Sequence, residues 1–76
     1  MTNTERLQKA IERSGLKTNA IMKALGIKSY ATLRGKIGNE SEFTAKEIMI
    51  LSDLLRLEVS DRDAIFFAND AELHSA

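Results

Sequence analysis

Apolar positions recur with the period of an α-helix along nearly the whole chain of 76 residues. The first stripe predicts a helix that begins at one of the two N-terminal threonines and ends at Gly15. A second helix begins after Thr18 or Asn19 and ends at Gly26. The inner faces of these two helices are predicted to be Leu7, Ala10, Ile11 and Ser14, and Ile21, Ala24 and Leu25.

A third helix is predicted within a few residues of Gly26. Ser29 is a favourable N-cap for it, because a serine side chain can accept a hydrogen bond from the first turn. Leu33 and Ile37 lie one helical turn apart and form its inner side. Gly38, followed by an asparagine, ends it.

Two polar signals mark the rest of the chain. Thr44 and Glu47 form a capping box that predicts the start of a fourth helix. Its apolar run over residues 48–55 covers most of the circumference and predicts the most buried helix. The acids in the Ser-Asp-Arg-Asp segment at 60–63 suit the start of a fifth. Strand signals are nearly absent, so the pattern predicts a compact all-α domain of five helices.

Charge divides the chain into two halves of opposite sign, although the formal net charge is zero. Residues 1–38 contain eight basic and two acidic residues, and residues 39–76 contain three basic and nine acidic ones. A basic half can meet a polyanion while the acidic half orients the molecule by repulsion. The alternative is that these are ordinary solvated faces whose signs happen to segregate.

Several functions have little support in the composition. The chain has no cysteine, and its one histidine, His74, lies near the end, so neither a metal site nor catalysis is expected. No apolar run reaches the roughly 20 residues of a membrane span, and the first residues lack the order of a secretory signal. We therefore expect a cytoplasmic protein that is not an enzyme and has no cofactor, membrane association or small-molecule ligand.

The stretch L-G-I-K-S-Y-A-T-L-R-G-K-I at residues 25–37 has the pattern of a helix-turn-helix: two helices, a glycine turn, and a polar second helix. Small residues such as Ser29, Ala31 and Thr32 would let that helix enter a DNA major groove about 12 Å wide. The charge for guanine edges or phosphates would come from Lys28, Arg34 and Lys36. An ordinary helical hairpin with a solvated face explains the spacing equally well.

Five phrases are distinctive along the chain: L-x-x-A-I followed by S-G-L, then A-I-M-K-A-L-G-I, T-L-R-G-K-I, S-E-F-T-A-K-E-I and A-I-F-F-A. In these phrases, residues 4–68 resemble the Cro and repressor type of phage helix-turn-helix domain. The resemblance implies a lambda-repressor-like DNA-binding domain at 1–68. The tail at 69–76 is expected to fray, as chain termini commonly do. The resemblance further implies a transcriptional regulator, expected to be a repressor of phage or mobile-element origin, that binds double-stranded DNA as a homodimer on a near-palindromic operator.

The resemblance also implies residue roles. Ser29, Tyr30 and Arg34 fall on the recognition helix where that family contacts bases, and Thr18, Asn19 and Asn39 fall where it contacts the backbone. These roles, together with the size and charge of the side chains, predict base contacts at Lys28, Ser29, Tyr30, Thr32 and Arg34. The predicted phosphate contacts are Lys17, Thr18, Asn19, Lys36 and Asn39.

Four features leave alternatives open. The turn after Gly26 is one residue longer than is usual in that family, which would rotate the outward-facing set. Gly35 either lets DNA approach closely or is a weak point that costs about 1 kcal/mol relative to alanine. Tyr30 either reaches the groove or covers the edge of the core. Phe66 and Phe67 either contact the second subunit of a dimer or lie in the core.

Two other functions are alternatives to DNA binding. A protein-binding helical module, such as an antirepressor or an antitoxin, would use the two phenylalanines and the acidic C-terminal half as its contact surface. The segment Gly35–Gly38 also matches the G-x-x-G loop with which KH domains bind RNA, but that fold needs three strands that this sequence lacks.

Overall fold

The computed structural model describes residues 1–67, and these residues fold into five helices. The helices are α1 (Thr4–Ser14), α2 (Thr18–Leu25), α3 (Tyr30–Ile37), α4 (Ala45–Leu54) and α5 (Val59–Phe66). Residues 1–67 contain no strand, which confirms the predicted compact all-α architecture. The predicted tail at 69–76 and the domain boundary at residue 68 lie outside the described residues.

Most helix ends form where a local signal predicts them. Gly15 and Gly26 both adopt φ 72°, the left-handed conformation in which a residue without a Cβ is not strained. Thr44 and Glu47 form both hydrogen bonds of the capping box. The Ser29 hydroxyl accepts from the Thr32 N–H at 3.4 Å, which makes it the N-cap of α3 as predicted.

Two helix starts differ from the prediction. Asn3 rather than a threonine caps α1, because its side chain accepts a hydrogen bond from the Arg6 N–H at 3.1 Å. The start of α5 lies at Val59, with Glu58 as its N-cap and no side-chain capping bond. The polar segment at 60–63 therefore lies inside the first turns of α5.

The core is formed by one cluster of side chains from all five helices and from the loop before α4. Its buried members are Leu7, Ala10, Ile21, Leu33, Phe43, Leu51, Leu55, Ile65 and Phe66. Within this core α1 packs against α3 and α5, and α4 packs against α2 and α5. The rings of Phe43 and Phe66 meet edge to face, with centroids 5.6 Å apart and planes at 83°.

The fourth helix has the smallest share of exposed residues of the five helices, as predicted, but it is not enclosed on all sides. Within α4 only Leu51 is classed as buried, and Met49 is 68% exposed. The reason is that α2 and α5 do not enclose the whole circumference of α4. Ala24 of α2 is likewise exposed, although its spacing placed it on the inner face. None of the helices within residues 1–67 has the length and apolar character needed to cross a bilayer.

Candidate nucleic-acid interface

A four-residue connection, 26–29, separates α2 from α3 and fixes which side of α3 faces solvent. Gly26 ends α2, and the Ile27 N–H donates to the Met22 carbonyl at 2.9 Å across the turn. Ile27 is partly buried and packs against the core. Leu33 is almost fully buried on the inner side of α3. The turn and α3 are thus anchored by apolar contacts, and the opposite side of the helix faces outward.

The five residues predicted to contact bases, Lys28, Ser29, Tyr30, Thr32 and Arg34, are all exposed. Within α3, Tyr30 and Arg34 are four residues apart and share a side of the helix, whereas Thr32 points away from them. Tyr30 is 56% exposed, and the rest of its ring lines a groove together with Ile21 and Leu33 of the core. The Arg34 guanidinium lies 5.8 Å from the centre of the Tyr30 ring, within the range of a cation–π contact. The two longest outward side chains of α3 are therefore held next to each other.

The start of α2 offers free hydrogen-bond donors. Lys17 is its N-cap, and no side chain within residues 1–67 caps the first turn of this helix. The backbone N–H groups at a helix start carry partial positive charge and bind anions when nothing else bonds them. Lys17, Thr18 and Asn19 are all exposed there. Three of the five predicted phosphate contacts therefore lie at a surface suited to an anion.

Lys36, a fourth predicted phosphate contact, is bound within the protein instead. Its Nζ donates to Glu47 Oε1 at 2.8 Å and to the Glu42 carbonyl at 3.2 Å. It also lies 6.0 Å from the centre of the Phe43 ring. The side chains of Lys36 and Glu47 are each only 14% exposed. The structure thus corrects the role of Lys36, whose ammonium holds the end of α3 to the start of α4.

The carboxylate of this pair has a shifted pKa. Partial burial raises the pKa of Glu47, but hydrogen bonds from Lys36 and from the Thr44 backbone N–H, with the positive charge of Lys36, outweigh the burial. The net result is a Glu47 pKa below its ordinary value. The contact between α3 and α4 is therefore strongest where Glu47 is ionised.

Asn39, the fifth predicted phosphate contact, is also bound within the protein. Its Nδ2 donates to the Thr2 carbonyl at 2.7 Å, and its Oδ1 accepts from the Thr2 N–H at 2.8 Å. The Thr4 hydroxyl adds a bond of 2.6 Å to the Ile37 carbonyl nearby. Both ends of the Asn39 amide are satisfied. Its role is corrected to that of an anchor for the N-terminal segment.

Gly35 faces the loop after α3 and not the solvent. The N–H groups of Glu40 and Ser41 both donate to the Gly35 carbonyl, at 2.8 and 3.3 Å. A Cβ at position 35 would lie 3.3 Å from Glu40 Oε2. The close approach at this glycine is therefore made by the protein's own loop and not by DNA. The G-x-x-G segment that starts here is the last turn of α3 and not a loop between strands.

The two phenylalanines predicted as dimer contacts have different environments. Phe66 is 4% exposed and belongs to the core, so the prediction of a dimer contact is wrong for this residue. Phe67 is 56% exposed. Only Phe67 of the two is accessible to a partner.

The basic residues of the first half of the chain do not form a single surface. Lys17, Lys23, Lys28 and Arg34 are exposed on α2, α3 and their connections. Three other basic residues, Arg6, Lys9 and Arg13, line a groove on the other flank of α1. An acidic side chain, Glu12, lines the shallow groove that also contains Tyr30 and Arg34. The α2–α3 surface therefore has a smaller excess of positive charge than the sequence halves indicate.

Within residues 1–67 no three side chains of the His, Cys, Asp and Glu types converge to hold a metal ion. His74 lies outside the described residues. Comparison of the chain with protein-family models, with curated proteins and with solved structures finds no significant match. The functional argument therefore rests on the geometry of the α2–α3 surface.

Proposed function

We propose that this chain is a sequence-specific, double-stranded DNA-binding regulator that inserts the start of α3 into the major groove. The observation that carries the proposal is the exposed surface formed by α3 and the turn before it. Basic, hydroxylated and aromatic side chains are exposed around the start of this short helix, while Leu33 fixes it in the core. An α-helix with its side chains is about 10–12 Å across, and the major groove is about 12 Å wide.

The order of side chains along α3 suits a helix that enters by its N-terminal end. Ser29, Ala31 and Thr32 are small and exposed, so the backbone can approach the base pairs. Arg34 lies one turn further on, where a guanidinium can donate two hydrogen bonds to the O6 and N7 atoms of a guanine. Its contact with the Tyr30 ring restricts its rotamers before binding, which lowers the entropy cost of ordering it.

The phosphate contacts of the proposal come from the start of α2. Lys17 supplies a charge, and Thr18 and Asn19 supply side chains and backbone N–H groups. Such contacts fix the register of a protein on the duplex without reading its sequence. Lys36 and Asn39 have no part in this set because their polar groups are bonded internally.

The resemblance to Cro and repressor domains supplies the regulatory part of the proposal. It suggests a repressor of phage or mobile-element origin that binds a near-palindromic operator as a homodimer. Two-fold symmetry of the operator would then mirror the symmetry of the dimer, with half-sites about one helical turn apart.

Selection of bound sequences from a pool of random duplexes tests this function. We expect an enriched motif with two-fold symmetry. Titration of the selected duplex at several salt concentrations should then give a steep decrease in affinity, with a slope of about −0.9 per neutralised phosphate. Failure to enrich any motif, with no salt dependence, would contradict the proposal.

A second candidate function is that of a protein-binding module such as an antirepressor or antitoxin. It is favoured by three large apolar side chains that remain exposed on α4 and α5 or directly after them, Met49 at 68%, Val59 at 64% and Phe67 at 56%. This module would capture a protein and show no salt-dependent affinity for duplex DNA. The same titration therefore distinguishes the two functions.

A further inference from the structure

A second basic surface lies in a groove between α1 and the segment that runs from the end of α4 into α5. One wall carries Arg6, Lys9 and Arg13, which occupy one side of α1 at helical spacing. Arg56 lines the same groove from the connection between α4 and α5. Leucines from the end of α4 and from the connection that follows it, with Ile65 of α5, add apolar lining. The groove thus combines guanidinium groups with aliphatic surface.

The arginines of this groove are not neutralised inside the described part of the chain. Among residues 1–67 the only ion pair on this wall joins Lys9 to Glu5, at 3.2 Å on the surface. No carboxylate of those residues lies within 4.0 Å of the guanidinium nitrogens of Arg6, Arg13 or Arg56. Asp61 lines the groove but pairs with none of them. Within residues 1–67, these three guanidinium groups therefore have no carboxylate partner.

The backbone at Arg56 is an independent observation that points to this groove. Arg56 adopts φ 54°, one of two non-glycine residues at positive φ within 1–67. It lies at the position after the C-cap of α4, where the N–H of Leu57 bonds to the Ser52 carbonyl and that of Arg56 to the Asp53 carbonyl. This hydrogen-bond pattern usually places glycine at the left-handed position. An arginine there has a conformational cost that glycine would avoid, which is typical of a residue kept for its side chain.

We propose that this groove binds an acidic polypeptide segment that carries aliphatic side chains. Arginines bind carboxylates with two parallel hydrogen bonds, so three of them select a run of Asp or Glu side chains. The aliphatic lining, which includes Leu54 and Leu57, suits a leucine or isoleucine of the same segment. A nucleic acid has no aliphatic side chain to place there, so an acidic peptide fits the groove better than a phosphate backbone does.

The groove lies on a different flank of α1 from α3. The flank of α1 beside α3 is lined by Thr4, Gln8 and Glu12, none of which lines the arginine groove. A ligand on the outward side of α3 would leave the arginine groove open. The inference goes beyond the proposed DNA binding and does not depend on it.

Fluorescence anisotropy with the full chain tests the proposal. The probe is a labelled synthetic peptide of about 12 residues, composed of Glu and Asp with two leucines one helical turn apart. We expect Arg6→Gln and Arg13→Gln each to weaken its binding about fivefold or more, as the loss of one charged hydrogen-bond partner does. Arg62→Gln is the matched control, because Arg62 is paired with Asp63 and does not line the groove. It should leave the affinity unchanged.

Arg56→Gly is the sharpest variant because its two effects have opposite signs. Glycine removes the backbone strain, so the thermal midpoint should rise, which excludes misfolding as an explanation. Peptide affinity should nevertheless decrease about fivefold or more. An increase in midpoint with unchanged peptide affinity would overturn the role of Arg56.

Four other results would overturn the proposal. Equal weakening by Arg62→Gln would show non-specific charge attraction. Unchanged binding of a probe with alanine in place of leucine would eliminate the apolar part of the site. Weakened duplex binding by the groove variants, with peptide binding intact, would make the groove a nucleic-acid surface. Loss of self-association in sedimentation of the groove variants would make its occupant a second copy of this chain.

Saturation with a selected duplex should leave peptide binding intact, so failure of DNA binding alone does not affect this test.

Discussion

The two halves of α3 are built for different tasks. In the first five of its eight residues, called the free half below, Tyr30, Thr32 and Arg34 are exposed, and no described side chain bonds their polar ends to another helix. In the second half Gly35 bonds to the following loop, and Lys36 is bound to α4 through Glu47. The contrast is between side chains left free for a ligand and side chains used to hold the helix in place.

This difference shows how a helix of eight residues can present a defined surface. Such a helix is too short to be stable alone in water, so its orientation depends on its tertiary contacts. Leu33 packs into the core from the inner side of α3, and Lys36 bonds the C-terminal end of α3 to Glu47 of α4. The residues that remain free are then held in a fixed direction, which recognition of base edges requires.

The largest effect on the anchored half is expected from Lys36→Ala. The substitution leaves Glu47 partly buried without its partner. We expect a loss of about 2 kcal/mol in the free energy of unfolding, less than for a fully buried pair because solvent reaches both side chains. Lys28→Ala is the control, since Lys28 is exposed and should change stability by less than about 0.5 kcal/mol. Urea denaturation measures both. Equal losses would show that the pair does not anchor α3.

The free half is tested by Arg34→Ala. We expect binding to the selected duplex to weaken by about 2 kcal/mol, with relaxed specificity at one base pair, because a bidentate contact to guanine is lost. Stability should be nearly unchanged, since Arg34 is exposed and contacts mainly Tyr30. Arg62→Ala on α5 should leave the affinity for DNA intact. Unchanged specificity in the Arg34 variant would contradict the proposed contact of this residue with a guanine.

A smaller, stabilising effect is expected from Gly35→Ala. Alanine is better in a helix by up to about 1 kcal/mol, and the new Cβ would meet the end of the exposed Glu40 side chain, which can move aside. The thermal midpoint should therefore rise, and DNA affinity should not change. A decrease in midpoint would show that the loop after α3 cannot shift. A decrease in DNA affinity alone would return Gly35 to the interface.

The smallest effect is the acid response of the Lys36–Glu47 contact. Because the folded-state pKa of Glu47 is lowered, its contribution to stability is complete above the unfolded-state pKa and is lost as the pH falls through the folded-state value. Urea midpoints measured from neutral to acidic pH should decrease less steeply in Glu47→Gln than in the native chain. Parallel curves would contradict a role for Glu47 ionisation.

Local signals predict the helix boundaries of this fold well. Gly15, Gly26 and the Thr44–Glu47 capping box act over four or fewer residues, so the sequence contains their whole physical cause. The exposure of the start of α3 was also predictable, because Leu33 identifies its inner side. The turn between α2 and α3 does not bury Tyr30 or Arg34.

The errors concern contacts between residues far apart in the chain. Asn39 bonds to Thr2 across 37 positions, and Lys36 to Glu47 across 11, and no local pattern reveals either bond. The sequence therefore predicts that Lys36 and Asn39 contact DNA phosphates, whereas in the structure they bond to other residues of the protein. The exposure of Met49 on α4 has a related reason, because an apolar run does not show how many neighbours will cover it.

The arginine groove is a mixed case. The helical spacing of Arg6, Lys9 and Arg13 is present in the sequence, and the period of these charges predicts a basic face on the first helix. The contribution of Arg56 depends on the packing of α1 against α5 and on a left-handed backbone after α4. Only the structure brings these four residues together.

Titration of the ¹⁵N-labelled protein with a selected duplex, followed through its backbone amide shifts, tests the central claim most directly. We expect the largest shifts at 17–19, around the start of α2, and at 28–34, which comprises the end of the turn and the free half of α3. Amides beside the arginine groove, such as those of Arg6 and Arg13, should change little. Largest shifts at α1 and α5, or no shifts with a duplex that binds, would contradict the claim that α3 enters the DNA groove.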